Sequence, residues 1–254
     1  MKDKLKKFLP PLVVLAAILA LIQLLSVTGV IREFVLPAPS AVWRALITDT
    51  NLLWGHLKET LYVSLLGFFF SIVLGILVAL LMDSFNLIYR AIYPLLVVSQ
   101  TIPTMIITPV IVLMFGYGIL PRLAVVVLVC FFPVSINLLQ GFSAVDQDQI
   151  RLMRTLGANR AKILWHVKFP SGLLHLFSGI RIAATYCVMA AVLAEWSGGG
   201  TGLSIYMLRT KRSYAFDRMF ASIILIVCLS LLLYYFVLVV ERLATPWLRV
   251  KPKE

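Results

Sequence analysis

The stretch from Asp146 to Pro170, DQDQIRLMRTLGANRAKILWHVKFP, separates two long apolar segments and contains five Lys or Arg residues. Ile150, Met153 and Leu156 recur at a helical spacing, and Gly157 then interrupts the pattern. A second short helical pattern follows and closes at the proline, because proline cannot continue the interior of a helix. The spacing predicts two short helices joined by a glycine turn, with an apolar face that docks on another protein.

The composition indicates what surrounds the rest of the chain. Of 254 residues, 61% are hydrophobic and 13% are charged, and the mean hydropathy is +0.98. A soluble domain of this size cannot bury that much apolar surface, so lipid must be the solvent. A net charge of +12 could suggest nucleic acid, but the basic residues cluster at the ends of apolar segments. We therefore expect membrane lipid and no nucleic acid as a partner.

Six apolar segments predict six transmembrane helices, each near the ~20 residues that cross a hydrocarbon core. They comprise residues 9–27, 60–82, 91–115, 123–142, 173–194 and 220–240. A cleaved signal peptide is the alternative for the first segment, yet the run is long and no Ala-x-Ala site follows it. Most Lys and Arg residues then fall on the side of the termini and the Asp146–Pro170 loop, which the positive-inside rule makes the cytoplasm. We expect a single all-α transmembrane domain over residues 1–254.

Small and polar residues inside the spans predict packing and path-lining roles. A stripe at every fourth position of the second span would let helices approach closely in lipid; it comprises Gly67, Ser71, Gly75 and Ala79. The third span carries three prolines, whose freed carbonyl groups are tolerated in a bilayer only when buried in protein or lining a wet cavity. The candidate path and gate residues are Gln100, Thr101, Thr104, Asn137, Gln140 and Glu195.

Glu195 ends the fifth span and has two interpretations. As a helix-end carboxylate it would be solvated in the headgroup layer. As a gate residue it would pair with a base of the Arg209–Arg218 stretch, folded back over the pore mouth. The same span contains Arg181, which either faces the bundle interior or extends to the inner interface.

Catalytic and metal sites are not expected. Each of the three cysteines stands alone in an apolar run, and the three histidines are scattered. No Walker A pattern occurs, so the chain is not expected to bind and hydrolyse ATP itself. The glycine-rich run Gly198–Gly202 lacks the Gly-Lys-Ser/Thr of a phosphate loop. It is interpreted as an outer turn before a re-entrant or interfacial piece, Leu203–Leu208.

The Asp146–Pro170 loop resembles the cytoplasmic loop of ABC-importer permeases. That motif reads Glu-Ala-Ala, three residues, Gly, nine residues, Ile, one residue, Leu-Pro. Here Gly157 and Pro170 match it, Val167 and Phe169 replace Ile and Leu, and residues 151–153 read Arg-Leu-Met instead of Glu-Ala-Ala. These departures bear on the role of the family's glutamate but leave the turn and the apolar spacing in place.

The resemblance extends from about Val35 to Trp247. It includes LPAPSAVWRAL at residues 36–46, IPT at 102–104, FGYG at 115–118, and AEW followed by GLSIYM. The subgroup that it resembles most is the nitrate, sulfonate and taurine permeases, and within it those for thiamine-precursor pyrimidines. Sulfonate, taurine, nitrate and riboflavin-like substrates are the alternatives.

The resemblance implies a type I importer permease in a bacterial inner membrane. Its implied partners are cytoplasmic ABC ATPase subunits, an extracytoplasmic solute-binding protein and a second permease copy, and the ATPase rather than this chain would use ATP. The implied ATPase-coupling residues are Ile150, Met153, Leu156, Gly157, Ala158, Ala161, Leu164, Val167 and Pro170.

Two other classes of membrane protein are weighed against this interpretation. An ion-coupled secondary transporter would require paired intramembrane carboxylates or an inverted repeat, and the sequence shows neither. A membrane-embedded enzyme would require a catalytic constellation within the spans, and none can be assembled from these residues.

Overall fold

The computed structural model describes residues 2–32 and 35–246, with the side chains of residues 2–8 and 12 excepted. All regular secondary structure in this part of the chain is helical, which confirms the predicted all-α class. Trp247, where the family resemblance ends, and the C-terminal basic residues Arg249, Lys251 and Lys253 lie outside the described residues.

Eleven helices and one π-helical turn follow one another among the described residues. They are α1 Lys2–Val27, α2 Pro39–Thr48, α3 Thr50–Ser84, α4 Asn86–Thr101, α5 Thr104–Phe115, α6 Ile119–Ser143, α7 Gln147–Thr155, α8 Arg160–Ile163, the π-turn Leu164–Lys168, α9 Phe169–Gly198, α10 Leu203–Arg212 and α11 Phe216–Ala244.

Five stretches of the described residues are long and apolar enough to cross a membrane. They are Leu9–Val27, Thr50–Ser84, Ile119–Ser143, Arg160–Gly198 and Phe216–Ala244, and counting α4 with α5 as one broken span brings the number to six. The predicted spans thus correspond to observed helices, most of which extend beyond the predicted limits. α3 begins ten residues before the predicted start at residue 60. Its first turns mix polar and apolar residues, so hydropathy alone does not mark them as part of the span.

The prediction of one continuous third span over residues 91–115 is wrong. The chain bends by 108° between α4 and α5. The break falls at Ile102, which is extended with φ −85° and ψ 119° and immediately precedes Pro103. A proline ring clashes with an α-helical conformation of the preceding residue, so the chain turns there. Pro94 and Pro109 lie inside α4 and α5 without ending them.

The chain separates into two compact units, each made of two sequence segments. The first comprises Met1–Glu59 and Thr201–Val227, and the second comprises Thr60–Gly200 and Cys228–Glu254. The organisation as one domain stays a prediction.

The core of the second unit is the α6–α9 pair, where glycines bring two backbones together. A Cβ atom on Gly179 would lie 2.5 Å from the carbonyl oxygen of Pro133, and one on Gly141 would lie 2.9 Å from the Cα of Gly172. No side chain fits at either position without separating the helices, which is the role that small residues have in lipid. Beside this pair, Arg181 forms an ion pair of 3.3 Å with Glu241 of α11.

The small-residue stripe of α3 also lies at a close approach. A Cβ atom on Gly67 would stand 2.6 Å from Cγ1 of Val126, and one on Gly75 would stand 2.8 Å from Cβ of Val134. Ser71 and Ala79 are fully buried. The four residues therefore face the interior, with Gly67 and Gly75 against α6.

The first unit has a small core of its own and an ionic cluster. Buried Val42 and Ala45 of α2 pack with Leu203 and Tyr206 of α10. The Tyr206 hydroxyl donates to Asp49 Oδ2 at 2.7 Å, and Arg218 Nε lies 3.2 Å from the same oxygen. Burial, and then the hydrogen bond to Asp49, raises the pKa of Tyr206.

Candidate coupling and translocation sites

Local capping shapes the segment between α6 and α9. The Asp146 side chain accepts a hydrogen bond from the Asp148 N–H and caps α7, and Asn159 accepts one from the Lys162 N–H and caps α8. Between them Gly157 has φ +78°, a conformation that L side chains rarely adopt. The Ala158 N–H bonds back to the Met153 carbonyl at 2.9 Å and closes the turn. The predicted helix, glycine turn and helix are present in the structure.

The apolar residues of this segment divide between two faces, which corrects the single docking face expected from the spacing. Ile150 is 5% exposed and packs with Val145 and Ile163, while Met153, Ala158 and Val167 lie partly buried against them. These side chains hold the segment together. Ile150 in particular is too buried for a partner to contact, because helix periodicity turns it toward the protein's own interior.

The outward-facing apolar residues of α7 and its C-cap are different ones. Leu152 is 61% exposed and Leu156 is 73% exposed. They are four residues apart and so form one ridge on the helix surface. Of the two, only Leu156 was predicted. Among the other predicted coupling residues, Gly157, Ala161 and Pro170 are exposed and Leu164 is half-buried.

The expected helix end at Pro170 is also wrong. Pro170 lies in the first turn of α9, directly after the π-turn, and the chain stays helical through it. Just before it, the Phe169 N–H reaches back to the Leu164 carbonyl in π-helical fashion. The segment therefore runs into the α9 span without a flexible joint.

An ion pair ties this segment to a second span. Lys168 Nζ lies 2.7 Å from Oδ1 and 2.9 Å from Oδ2 of Asp83, the penultimate residue of α3. The two side chains are only 21% and 15% exposed. A displacement of the α7–α8 segment would thus reach both α9, by chain continuity, and α3, by this pair.

The polar residues predicted for the path lie in different surroundings. At the α4–α5 bend, Gln100 and Thr101 are exposed and Thr104 is half-buried. On α6, Gln140 is exposed, and the half-buried Asn137 donates its side-chain amide to the Pro133 carbonyl at 2.8 Å. Their role in a path stays a prediction.

Glu195 lies in the interior of the described structure rather than at a solvated helix end. Its exposure is 0%, and Thr60 Oγ1 donates a 2.7 Å hydrogen bond to its Oε1. A carboxylate is costly to bury and persists only where polar groups surround it. This burial is evidence against a helix-end carboxylate solvated in the headgroup layer, while the gate role stays a prediction. Of the proposed partner bases, Arg218 is already paired with Asp49.

A cavity of about 470 Å³ adjoins the end of α9. It is lined by two of the sequence phrases noted above, the FGYG turn (Tyr117 and Gly118) and the glycine run (Gly198, Gly199 and Gly200), together with Arg122, Trp196 and Ser197. Arg122 is 8% exposed, whereas Trp196 is 40% exposed. The cavity thus presents a guanidinium group beside aromatic rings and backbone amides.

The sequence alone does not single out Thr60, Asp83, Arg122 and Lys168. Asp83 and Lys168 are single charges close to apolar runs, and Thr60 is the first residue of a predicted span. A charged residue at the end of an apolar run is a weak signal, because it usually indicates solvation. Asp83 and Lys168 are separated by 85 residues in the chain, and Thr60 is separated from Glu195 by 135.

Comparison with known proteins identifies the family. Residues 71–250 match the family described as binding-protein-dependent transport system inner membrane component. A formylaminopyrimidine transport permease protein of Halalkalibacterium halodurans is 35% identical over 217 residues, covering 85% of this chain and 87% of the relative. A probable ABC transporter permease protein of Haemophilus influenzae is 33% identical over 229 residues, covering 90% and 94%.

The structure agrees with this assignment. An inward-facing structure of the MetNI methionine ABC transporter superposes with a TM-score of 0.68 at 19% identity, over 78% of this chain and 98% of the other. At that identity the likeness shows the fold alone. The chain therefore belongs to the binding-protein-dependent transport system inner membrane components, as a multi-pass membrane permease of the ABC-transporter type.

Proposed function

We propose that this chain is the permease subunit of an ATP-driven importer and that a separate cytoplasmic ATPase docks on the Leu152–Leu156 ridge. The observation that carries the proposal is the exposure of these two leucines on a short, capped segment outside the spans. An exposed apolar ridge in water has no stabilising role in an isolated chain and is typical of a partner surface.

The segment has the properties that energy transmission requires. Its inner face is packed around Ile150, and its exit passes directly into α9, so it moves as a unit. The Asp83–Lys168 pair adds a connection to α3. Closure of the ATPases would favour one of two arrangements of the spans through differential contact with this segment, which is a population shift rather than a mechanical push.

The remaining parts of the importer are proposed from the family. A solute-binding protein delivers substrate on the outer side, a second permease copy completes the path, and the ATPase subunits bind and use the ATP. The type I importer fold supports the ATPase and binding-protein partners. This chain acts as a transport subunit without an ATPase site of its own.

For the substrate we favour a thiamine-precursor pyrimidine. The support is the 35% identity to a formylaminopyrimidine permease, together with a cavity that combines Arg122 with the rings of Trp196 and Tyr117. Aromatic rings stack on a planar heterocycle, and a guanidinium can donate to its ring nitrogens or exocyclic oxygen. Sulfonate, taurine, nitrate and riboflavin-like compounds are the alternatives for comparison.

Docking is tested by charging the ridge. Leu152→Asp should reduce co-purification of the ATPase at least tenfold, because the carboxylate would have to lose its water in the interface. Val35→Asp is the matched control, since Val35 is also 61% exposed but lies far along the chain from the segment, and it should retain the ATPase. Full ATPase recovery with Leu152→Asp would remove the ridge as the docking site.

The substrate is tested separately. The complex, reconstituted with its binding protein, should accumulate a labelled aminopyrimidine in competition with taurine, nitrate and riboflavin. Preferential uptake of another compound would replace the substrate assignment and leave the docking proposal intact.

A further inference from the structure

A second cavity, of about 810 Å³, lies where α3, α6 and the α7–α8 segment meet. Its volume falls within the ~300–1,000 Å³ of small-molecule sites. Its accessible apolar lining is Tyr89, Ala161 and Leu164, and the buried Met82, Leu139, Phe142, Ile150 and Ile163 complete its wall. Its charged lining is one carboxylate, Asp83, and three cations, Arg154, Arg160 and Lys168. The cavity is therefore amphipathic, with an excess of positive charge.

The excess charge belongs to the two arginines. Lys168 is engaged with Asp83 at 2.7 and 2.9 Å, so these two charges compensate each other. Neither Arg154 nor Arg160 forms an ion pair with any carboxylate among the described residues. Two guanidinium groups at one cavity, without an internal counter-ion in the described part of the chain, favour an anionic ligand.

This cavity is distinct from the proposed ATPase ridge. Gln147, Ile150 and Arg154 line it, and their spacing of three and four residues places them on one face of α7. Leu152 and Leu156 lie on the other side of the helix, since successive residues rotate by ~100°. A partner on the ridge would therefore leave the cation-lined face of α7 available.

The position of the cavity indicates the chemistry of the ligand. α3 ends at Ser84, α4 begins at Asn86 and α6 ends at Ser143, and all three residues line the cavity. Ends of apolar spans lie at the level of the lipid headgroups. A phosphate there is accompanied by glycerol and acyl chains, which suit an apolar lining, whereas a free phosphate would leave that lining without a contact.

We propose that this cavity binds the phosphodiester headgroup of an anionic phospholipid through Arg154 and Arg160, with the glycerol and the first acyl carbons against Tyr89 and Leu164, whose apolar surface is accessible. Basic pockets between transmembrane helices on the cytoplasmic side are known to take such headgroups. The lipid would brace the α7–α8 segment against the ends of α3 and α6.

The test uses the full-length chain in nanodiscs of dioleoylphosphatidylcholine, with or without 20% dioleoylphosphatidylglycerol, and native mass spectrometry of the lipid retained on release. Retention of phosphatidylglycerol over phosphatidylcholine should fall about fivefold for Arg154→Gln or Arg160→Gln and roughly 30-fold for both, taking one near-surface cation per substitution. Arg151→Gln is the control, because Arg151 lies on the same helix but pairs with Asp148 and does not line the cavity.

Selective retention of phosphatidylglycerol that is lost in the double variant and kept in Arg151→Gln supports the proposal. Equal retention in all variants overturns it. If 10 mM inorganic phosphate in pure phosphatidylcholine protects the wild type from thermal unfolding as well as phosphatidylglycerol does, the cavity is a free-anion site, and the proposal is also overturned. If the double variant no longer co-purifies with the ATPase in pure phosphatidylcholine, while its retention of phosphatidylglycerol in the mixed nanodiscs is unchanged, the two arginines contact the ATPase instead.

Discussion

The Asp83–Lys168 pair provides the sharpest test of how the α7–α8 segment is attached to the spans. One ammonium group contacts both carboxylate oxygens, at 2.7 and 2.9 Å, with both side chains mostly buried. At an effective dielectric constant of about 20, the direct attraction at this distance is on the order of 6 kcal/mol before desolvation. Exposed pairs retain ~0–1 kcal/mol of this, and breaking a fully buried pair costs about 3–5 kcal/mol.

With both groups largely but not fully buried, we expect Lys168→Gln or Asp83→Asn to destabilise the protein by about 2 kcal/mol. For a chain of this length that corresponds to a decrease in Tm of roughly 4–8 °C. Because the pair connects the segment to α3, either variant should also lower transport per ATP hydrolysed. The assay is thermal unfolding of the purified permease, followed by transport and ATPase rates of the complex in proteoliposomes.

Two further variants separate the ion pair from incidental effects. The exchange Asp83→Lys with Lys168→Asp restores opposite charges and should recover at least half of the lost Tm. Arg151→Gln removes an exposed pair, with side chains 77% and 82% accessible, and should change Tm by less than 1 °C. Equal Tm changes in the buried and exposed variants, or no recovery in the exchange, would refute a stabilising role for the Asp83–Lys168 pair.

Three other perturbations have definite expectations. Gly179→Ala places a Cβ 2.5 Å from a backbone oxygen and should lower the yield of folded permease severalfold, because overpacking costs about 1–3 kcal/mol. Gly200→Ala, which has open space around it, should leave the yield unchanged. Equal yields of the two variants would contradict the close approach of α6 and α9. Glu195→Gln should assemble with the ATPase but raise ATP turnover without binding protein and lower transport; wild-type rates would exclude a gate role. Tyr206→Phe removes a hydrogen bond to a carboxylate and should cost about 1.5–3 kcal/mol, seen as a lower Tm, whereas an unchanged Tm would show that the bond is not stabilising.

Several features were predictable because their causes are local. The helical spacing around Gly157 and the capping residues Asp146 and Asn159 act within a few residues, so the helix, turn and helix could be expected from the sequence. The small-residue stripe of α3 was also visible as a period of four. The break at Pro103 could have been anticipated from the restriction on the residue before proline. Apolar character alone does not reveal it, because the apolar run continues through Ile102 and Pro103.

The amino-acid sequence by itself determined that this chain spans a membrane and that a basic, capped segment joins two of its helices, because hydropathy, charge and turn chemistry act on neighbouring residues. Only the tertiary structure decided which face of that segment is buried, since Ile150 and Leu152 are equally apolar and differ only in what lies opposite them. The same holds for the burial of Glu195 against Thr60 and for the pairing of Asp83 with Lys168. These contacts depend on how helices pack, and a packing angle is set by the shapes of two surfaces together, which no single segment encodes.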